Sequence, residues 1–343
     1  MGAHPLNILK GLPFVIAGSP LIKRLFSASS DGLTTVLYHG FFFGDESKQR
    51  ARERLRRQLH WLQTAYNPLT LAQFEAAIAI GEFPPRSLLV TADDAKLDLL
   101  EVYEEFHAFG VPLAVYVCAG WTAQASEIEP EGLLARVVAT LEWYEGPDLA
   151  LSIGTEQRSV MIGRSHRRST IDQILTSRWY YEPHLEELLS RLRQAAGAVG
   201  PRAICSWSEL VSLRDRGAQF GSHSVSHISL APATDIRLQF EVCEAKRLID
   251  LHQPGPCSSF AYPYGVDGTC DERTTAVLKA AGLTAAFMTH PGLAQNAAPA
   301  FHLPRFALPE RHMTDAEYRG RVRGGGVGLR KLKNALRPRR PTQ

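Results

Sequence analysis

Short apolar runs of β type alternate with stretches of helical periodicity along most of this chain, and that alternation admits few folds. Thr34–Tyr38 reads as a first strand, followed by a helix with Leu55, Leu59, Leu62 and Tyr66 on one face. Ser87–Thr91 is a second strand, running straight into Asp93 and Asp94. The next helix gathers Leu99, Tyr103, Phe106 and Phe109 and stops at Gly110. Val111–Cys118 is apolar throughout, as strands buried on both faces are. Such order argues for an α/β fold with parallel strands.

The rhythm breaks between Trp121 and about Gly200. Two helical patterns stand there, around Leu134–Leu141 and Leu185–Leu192, separated by polar sequence with Arg164, His166, Arg167 and Arg168. We read this stretch as an insertion packed on the domain. The pattern resumes at Ser206, whose spacing to Glu209 is a capping box opening a helix that ends near Gly217. Gln219–Ser222, Ser258–Tyr262, Thr284–Met288 and His302–Leu308 follow as strands, with helices over Asp235–His252 and Asp271–Ala281 between them.

Three regions result: an N-terminal helical extension over 1–32, a domain over 33–318 with its insertion at about 121–200, and a basic, flexible tail over 319–343. The apolar run Leu12–Ile22 is too short to span a bilayer and is interrupted by Gly18 and Pro20. The tail carries nine basic residues and no acidic one. It reads either as a solvated segment or as a basic amphipathic helix, with Leu329, Leu332 and Leu336 at helical spacing, lying on an anionic membrane. The five cysteines form no C-x-x-C pair and read as reduced thiols of a cytoplasmic protein, peripheral to the inner face of the membrane if the tail binds lipid. A formal net charge of only +3, without a clustered excess outside the tail, sets nucleic acid aside as a partner.

Chemistry-bearing residues collect where strands end, the edge that hosts function in parallel α/β folds. Asp93 and Asp94 are adjacent carboxylates, which repel unless something uses them. In a strand, neighbours point to opposite sides, so one can bind a metal while the other faces a substrate. His223 and His227, four residues apart, can face one metal if the segment turns helically. Tyr262-Pro263-Tyr264-Gly265 is a loop signal after a strand. Each alone has a plain explanation: a helix N-cap, surface or core histidines, a turn.

In combination, with their order and spacing, they resemble the polysaccharide-deacetylase (NodB-type) family, whose motifs are DDG-x-x-D, HS-x-x-H and P-Y-G. The resemblance covers about Leu33 to Pro309. It implies a distorted (β/α) barrel with seven parallel strands. It also implies a metal-dependent hydrolase that removes an acetyl group from an N-acetylated sugar in a polysaccharide or glycolipid. Asp94, His223 and His227 would then hold a divalent cation, Zn2+ by family habit, and Asp93 would be the general base. The backbone N–H of Tyr264 would face the oxyanion, with Pro263, Trp121 and Arg305 also lining the substrate. The family's general acid falls on His302, which opens the last strand, with His290 as the alternative.

Three positions depart from the family pattern. Ala92 replaces an aromatic residue, Ala95 replaces a glycine, and Ala261 stands where many members carry an arginine that orients the base. Ala95 is strained if its backbone needs φ > 0. Two other functions therefore stay open: a degenerate deacetylase that holds glycan without turnover, and a metal-dependent amidohydrolase acting on a non-sugar amide.

Overall fold

The computed structural model describes residues 32–43, 46–125, 137, 140–141, 144, 146–177, 182–196, 204–252 and 257–324. The N-terminal extension before residue 32, most of the first helical pattern of the insertion, and the tail beyond residue 324 lie outside the described residues. Among them are eleven strands: β1 Leu33–Tyr38, β2 Asn67–Pro68, β3 Ser87–Asp93, β4 Leu113–Val117, β5 Leu149–Ile153, β6 Arg158–Ile162, β7 Gln219–Ser222, β8 Ser259–Ala261, β9 Ala285–Phe287, β10 Leu293–Ala294 and β11 Phe306–Ala307. The main sheet runs in the order β10-β1-β3-β4-β7-β8-β9, with β11 pairing β1 and β2 pairing β3. It is mostly parallel, with β10 antiparallel to β1. The chain divides into two compact units.

The first unit comprises 1–92, 102–114 and 285–343. Its centre is β1, buried along its whole length and paired with β3 from Leu33↔Ser87 to Tyr38↔Ala92. Helix α1, Lys48–Ala65, is capped by the Ser47 hydroxyl and buries Leu55, Leu59 and Leu62, the face its periodicity marks. Helix α2, Leu71–Ile80, opens on a capping box between Thr70 and Gln73. Helix α3, Leu99–Ala108, begins in the second unit and is stopped by Gly110 at φ 58°. The third strand is shorter than expected, because Pro112 brings no N–H to the ladder.

The last expected strand, His302–Leu308, is also cut down. Only Phe306 and Ala307 pair with β1; Leu303 makes an isolated bridge to Phe287, and Pro304, which has no N–H, breaks the run. His302 therefore opens no strand. Arg305 is fully buried, not turned to solvent. Its guanidinium donates to the Met288 carbonyl and reaches the Thr91 hydroxyl, at 2.9 and 3.5 Å. Those buried partners are invisible in a linear sequence.

The second unit comprises 93–101 and 115–284. It holds helices α4 Ala119–Ala125, α5 Arg167–Thr176, α6 Glu182–Ala196, α7 Trp207–Asp215, α8 Asp235–Gln239, α9 Ala245–His252 and α10 Glu272–Ala280. The expected helix Asp235–His252 is thus interrupted by a π-helical turn, Phe240–Glu244. Helix α7 carries the expected capping box between Ser206 and Glu209. The insertion has its own apolar core, in which Val137, Leu141, Ile153, Val160, Ile162, Leu188 and Leu192 are buried. It also contains an antiparallel hairpin, β5–β6, that the sequence reading passed over. Helix α11, Asp315–Val322, in the first unit, runs through the expected tail boundary at 318 and buries Tyr318.

Candidate metal centre

Asp93 ends β3 in extended backbone, and the chain then turns left-handed at two successive residues, Asp94 at φ 71° and Ala95 at φ 54°. The second value explains why a glycine is usual at that position: a residue with a Cβ is strained there. The turn is secured because the Ala95 carbonyl accepts the Cys205 N–H at 2.9 Å. It also cancels the strand alternation that would have separated the two carboxylates. Both face one imidazole: His223 Nε2 lies 3.6 Å from Asp94 Oδ1 and 3.9 Å from Asp93 Oδ2.

His223 leaves the end of β7, its N–H bound to the Val117 carbonyl at 2.9 Å. Its Nδ1 lies 2.7 Å from the carbonyl oxygen of Ala261. A carbonyl only accepts, so Nδ1 carries the proton and Nε2 presents a lone pair toward Asp94. Where many relatives would place an arginine, the backbone of Ala261 therefore fixes an imidazole. His227 is brought round not by a helical turn, as the four-residue spacing suggested, but by left-handed residues at Ser224 (φ 67°) and His227 itself (φ 55°). The Ser224 hydroxyl accepts the His227 N–H at 3.0 Å. His227 Nε2 then also lies 3.6 Å from Asp94 Oδ1.

Among the described residues, Asp94, His223 and His227 offer three ligand atoms that all lie within 4.8 Å of one another. Separations of 3.6 Å are too long for hydrogen bonds. They are close to the ~3.4 Å between neighbouring ligands on a tetrahedron with bonds of about 2.0–2.1 Å. One carboxylate and two imidazoles, one with its tautomer fixed, make a donor set that fits a divalent cation and leaves positions for water and a carbonyl.

Aromatic rings close around His227. Trp121 stacks on it, ring centroids 5.1 Å apart and planes 21° from parallel, and Tyr264 meets it edge-on at 4.9 Å. Trp121, expected as a substrate contact, thus spends one ring face on the His227 imidazole. Tyr264 is half-buried at φ 62°, between the buried Pro263 and Gly265. The thiol of Cys118, fully buried, is pushed well up by desolvation and by the charges of Asp94 and Glu241, so it sits there as a neutral donor to the Val225 carbonyl at 3.1 Å. In the other unit, His302 is exposed and His290 half-buried. The sequence reading missed the groups that shape these motifs: the Ala261 carbonyl, the Ser224 hydroxyl and the Glu241 carboxylate. Backbone groups leave no sequence signal, and Glu241 reads as one more charge on a helix.

The family model described as polysaccharide deacetylase matches residues 174–286, a span that takes in His223, His227 and Tyr264 but stops short of Asp93 and Asp94. Over that span, about a third of its length, the chain is similar to the polysaccharide-deacetylase family. No curated protein matches the sequence. Among solved structures, a deacetylase from Streptococcus pyogenes in complex with acetate is similar at 14% identity, with 81% of this chain and 92% of that one covered and a TM-score of 0.53. IcaB from Ammonifex degensii is similar at 15% identity, with 86% and 97% covered and a TM-score of 0.54. A de-N-acetylase from Aggregatibacter actinomycetemcomitans, at 12% identity, covers 84% and 100% with a TM-score of 0.50. The fold is accordingly the distorted (β/α) barrel expected from the motifs.

Proposed function

We propose that this polysaccharide-deacetylase homologue is a metal-dependent hydrolase that removes the acetyl group from an N-acetylated sugar in a polysaccharide or glycolipid. The observation that carries the reading is the convergence of Asp94 Oδ1 with both imidazole Nε2 atoms at 3.6 Å, with a second buried carboxylate, Asp93, beside them. A cation such as Zn2+ bound there would supply Lewis acidity toward the carbonyl and make its water acidic. The chain's own residues do the rest. Asp93 takes the proton of the attacking water, the task of a positioned carboxylate that is not itself a ligand. The backbone N–H of Tyr264 donates to the oxyanion. Pro263 and the edge of Trp121 line the sugar, and the departing amine takes its proton from a general acid, for which the sequence offers His302, with His290 as the alternative. The products are acetate and a free amino sugar.

The test is acetate release by the Zn2+-loaded protein from N-acetylated oligosaccharides and glycolipids, run beside O-acetylated sugars and small amides. Release from N-acetylated sugars is expected. Glycan binding without release would make the protein a binding module, and release from small amides alone would make it an amidohydrolase of another class.

A further inference from the structure

The five residues from His223 to His227 belong to no helix or strand, so the amide groups between the two histidines need partners from elsewhere. Two of them find the same one. The N–H groups of Val225 and Ser226 both donate to Oε2 of Glu241, at 3.0 and 2.8 Å. Glu241 is 0% exposed and is the second residue of the π-helical turn Phe240–Glu244. A buried carboxylate is costly unless it is paired and hydrogen-bonded. Here the pairing comes from Arg237, whose Nη2 lies 2.6 Å from Glu241 Oε1 and also donates to the Ser226 hydroxyl at 3.0 Å.

The opposite side of the bend is tied down as well. The Ser224 carbonyl accepts the Ala119 N–H at 3.0 Å, and the Val225 carbonyl accepts the Gly120 N–H at 2.9 Å. Glycine is required at that second contact, since a Cβ on residue 120 would stand 2.5 Å from the Val225 oxygen. The carbonyls of the bend are thus fixed by the start of α4, and its N–H groups by one carboxylate. A π turn within a helix is an unfavourable feature that recurs at functional sites, and this one carries the carboxylate that grips the bend.

We propose that Glu241, braced by Arg237, is a positioning residue of the metal centre: it fixes the backbone of Val225 and Ser226 so that His227 meets His223 and Asp94 at one point. The inference rests on reading those three residues as metal ligands. Glu241 touches none of their rings; it acts through the main chain between them.

The test uses the full-length protein freed of metal, in wild-type form and as Glu241→Gln, Glu241→Ala and Arg237→Gln. Zn2+ affinity is measured by competition with a chromogenic chelator, and Co2+ coordination by its visible spectrum, at temperatures well below each variant's melting point. Loss of a group that orients a ligand costs about 10–100-fold in metal affinity. Glu241→Ala is expected at the upper end. Glu241→Gln, which keeps one acceptor oxygen, is expected to be partly rescued, with an altered Co2+ spectrum in both. Should Glu241→Ala fail to fold, Glu241→Gln and Arg237→Gln carry the same readout. Folded variants with wild-type Zn2+ affinity and an unchanged Co2+ spectrum would overturn the proposal while leaving the metal centre standing. A wild-type protein that takes up no Zn2+ would remove the metal centre itself, and the proposal with it.

Discussion

Asp93 and Asp94 are chemically identical neighbours, and what separates their proposed roles is one backbone dihedral. Asp94 at φ 71° swings its carboxylate to within 3.6 Å of both imidazoles, while Asp93, still in strand geometry, stays 3.9 Å from His223 alone. Asp93→Asn is therefore expected to retain stoichiometric Zn2+ and to lose about 10²–10⁴-fold in turnover. His223→Ala and His227→Ala are expected to lose the metal. Elemental analysis of the purified variants, paired with acetate release, separates the two classes; near-normal turnover in Asp93→Asn would remove it as the base. At this scale the sequence was informative where a residue's chemistry announces it. Two adjacent carboxylates, and two histidines at fixed spacing, have few uses. It was silent where burial decides the role. For Arg305, expected to line the substrate, the sequence gives no sign of its burial or of its partners, the Met288 carbonyl and the Thr91 hydroxyl. Glu241 reads as one charge on an amphipathic helix until the Val225 and Ser226 amides are found against it.

Helix α6 and the β5–β6 hairpin lie in the same insertion, yet only the helix was legible. Leu185, Leu188, Leu189 and Leu192 repeat at helical spacing over a long window, and all four are buried. The hairpin offers five-residue strands whose burial is partial: Val160 and Ile162 face inward, Met161 outward, and β5 is fully buried only at Ile153. So short a period-2 signal, beside a polar stretch with Arg164 and His166, does not stand out. The two elements meet where the Glu187 carboxylate accepts the Gly154 N–H at 2.9 Å, at the turn of the hairpin. That hydrogen bond, together with Arg191, holds the Glu187 pKa below its ordinary value. The apolar contact matters more for stability. Leu188 is fully buried, and Leu188→Ala is expected to cost about 2–5 kcal/mol through lost burial and the cavity left behind. Urea denaturation checks it, and a loss below ~1 kcal/mol would mean that this core is not packed around Leu188.

For the molecule as a whole, the open question is where it works, and the C-terminal segment bears on that. Among the described residues no helix is long and apolar enough to cross a membrane. Part of the basic segment is already committed to the protein body: Arg321 pairs with Glu317, and Arg319 and Arg323 lie over the Trp61 ring. Those cations hold α11 in place and are poorly placed to serve lipid. Arg330, Lys331, Lys333, Arg337, Arg339 and Arg340 follow, with no acidic residue to offset them. Each basic residue near an anionic surface contributes about 1 kcal/mol, an attraction that fades as salt shortens the Debye length. We therefore propose peripheral contact of this tail with the inner face of a membrane, which suits an enzyme whose substrate is a lipid-linked glycan. Charge is expected to carry this contact. Sedimentation with liposomes of graded anionic-lipid content should show binding by the full chain that rises with lipid charge and falls with salt. A truncation after Gly324 should lose it, while keeping α11 and the Trp61 contacts intact. Equal sedimentation of the two proteins, or indifference to lipid charge, would exclude the tail as an anchor and leave it a solvated segment.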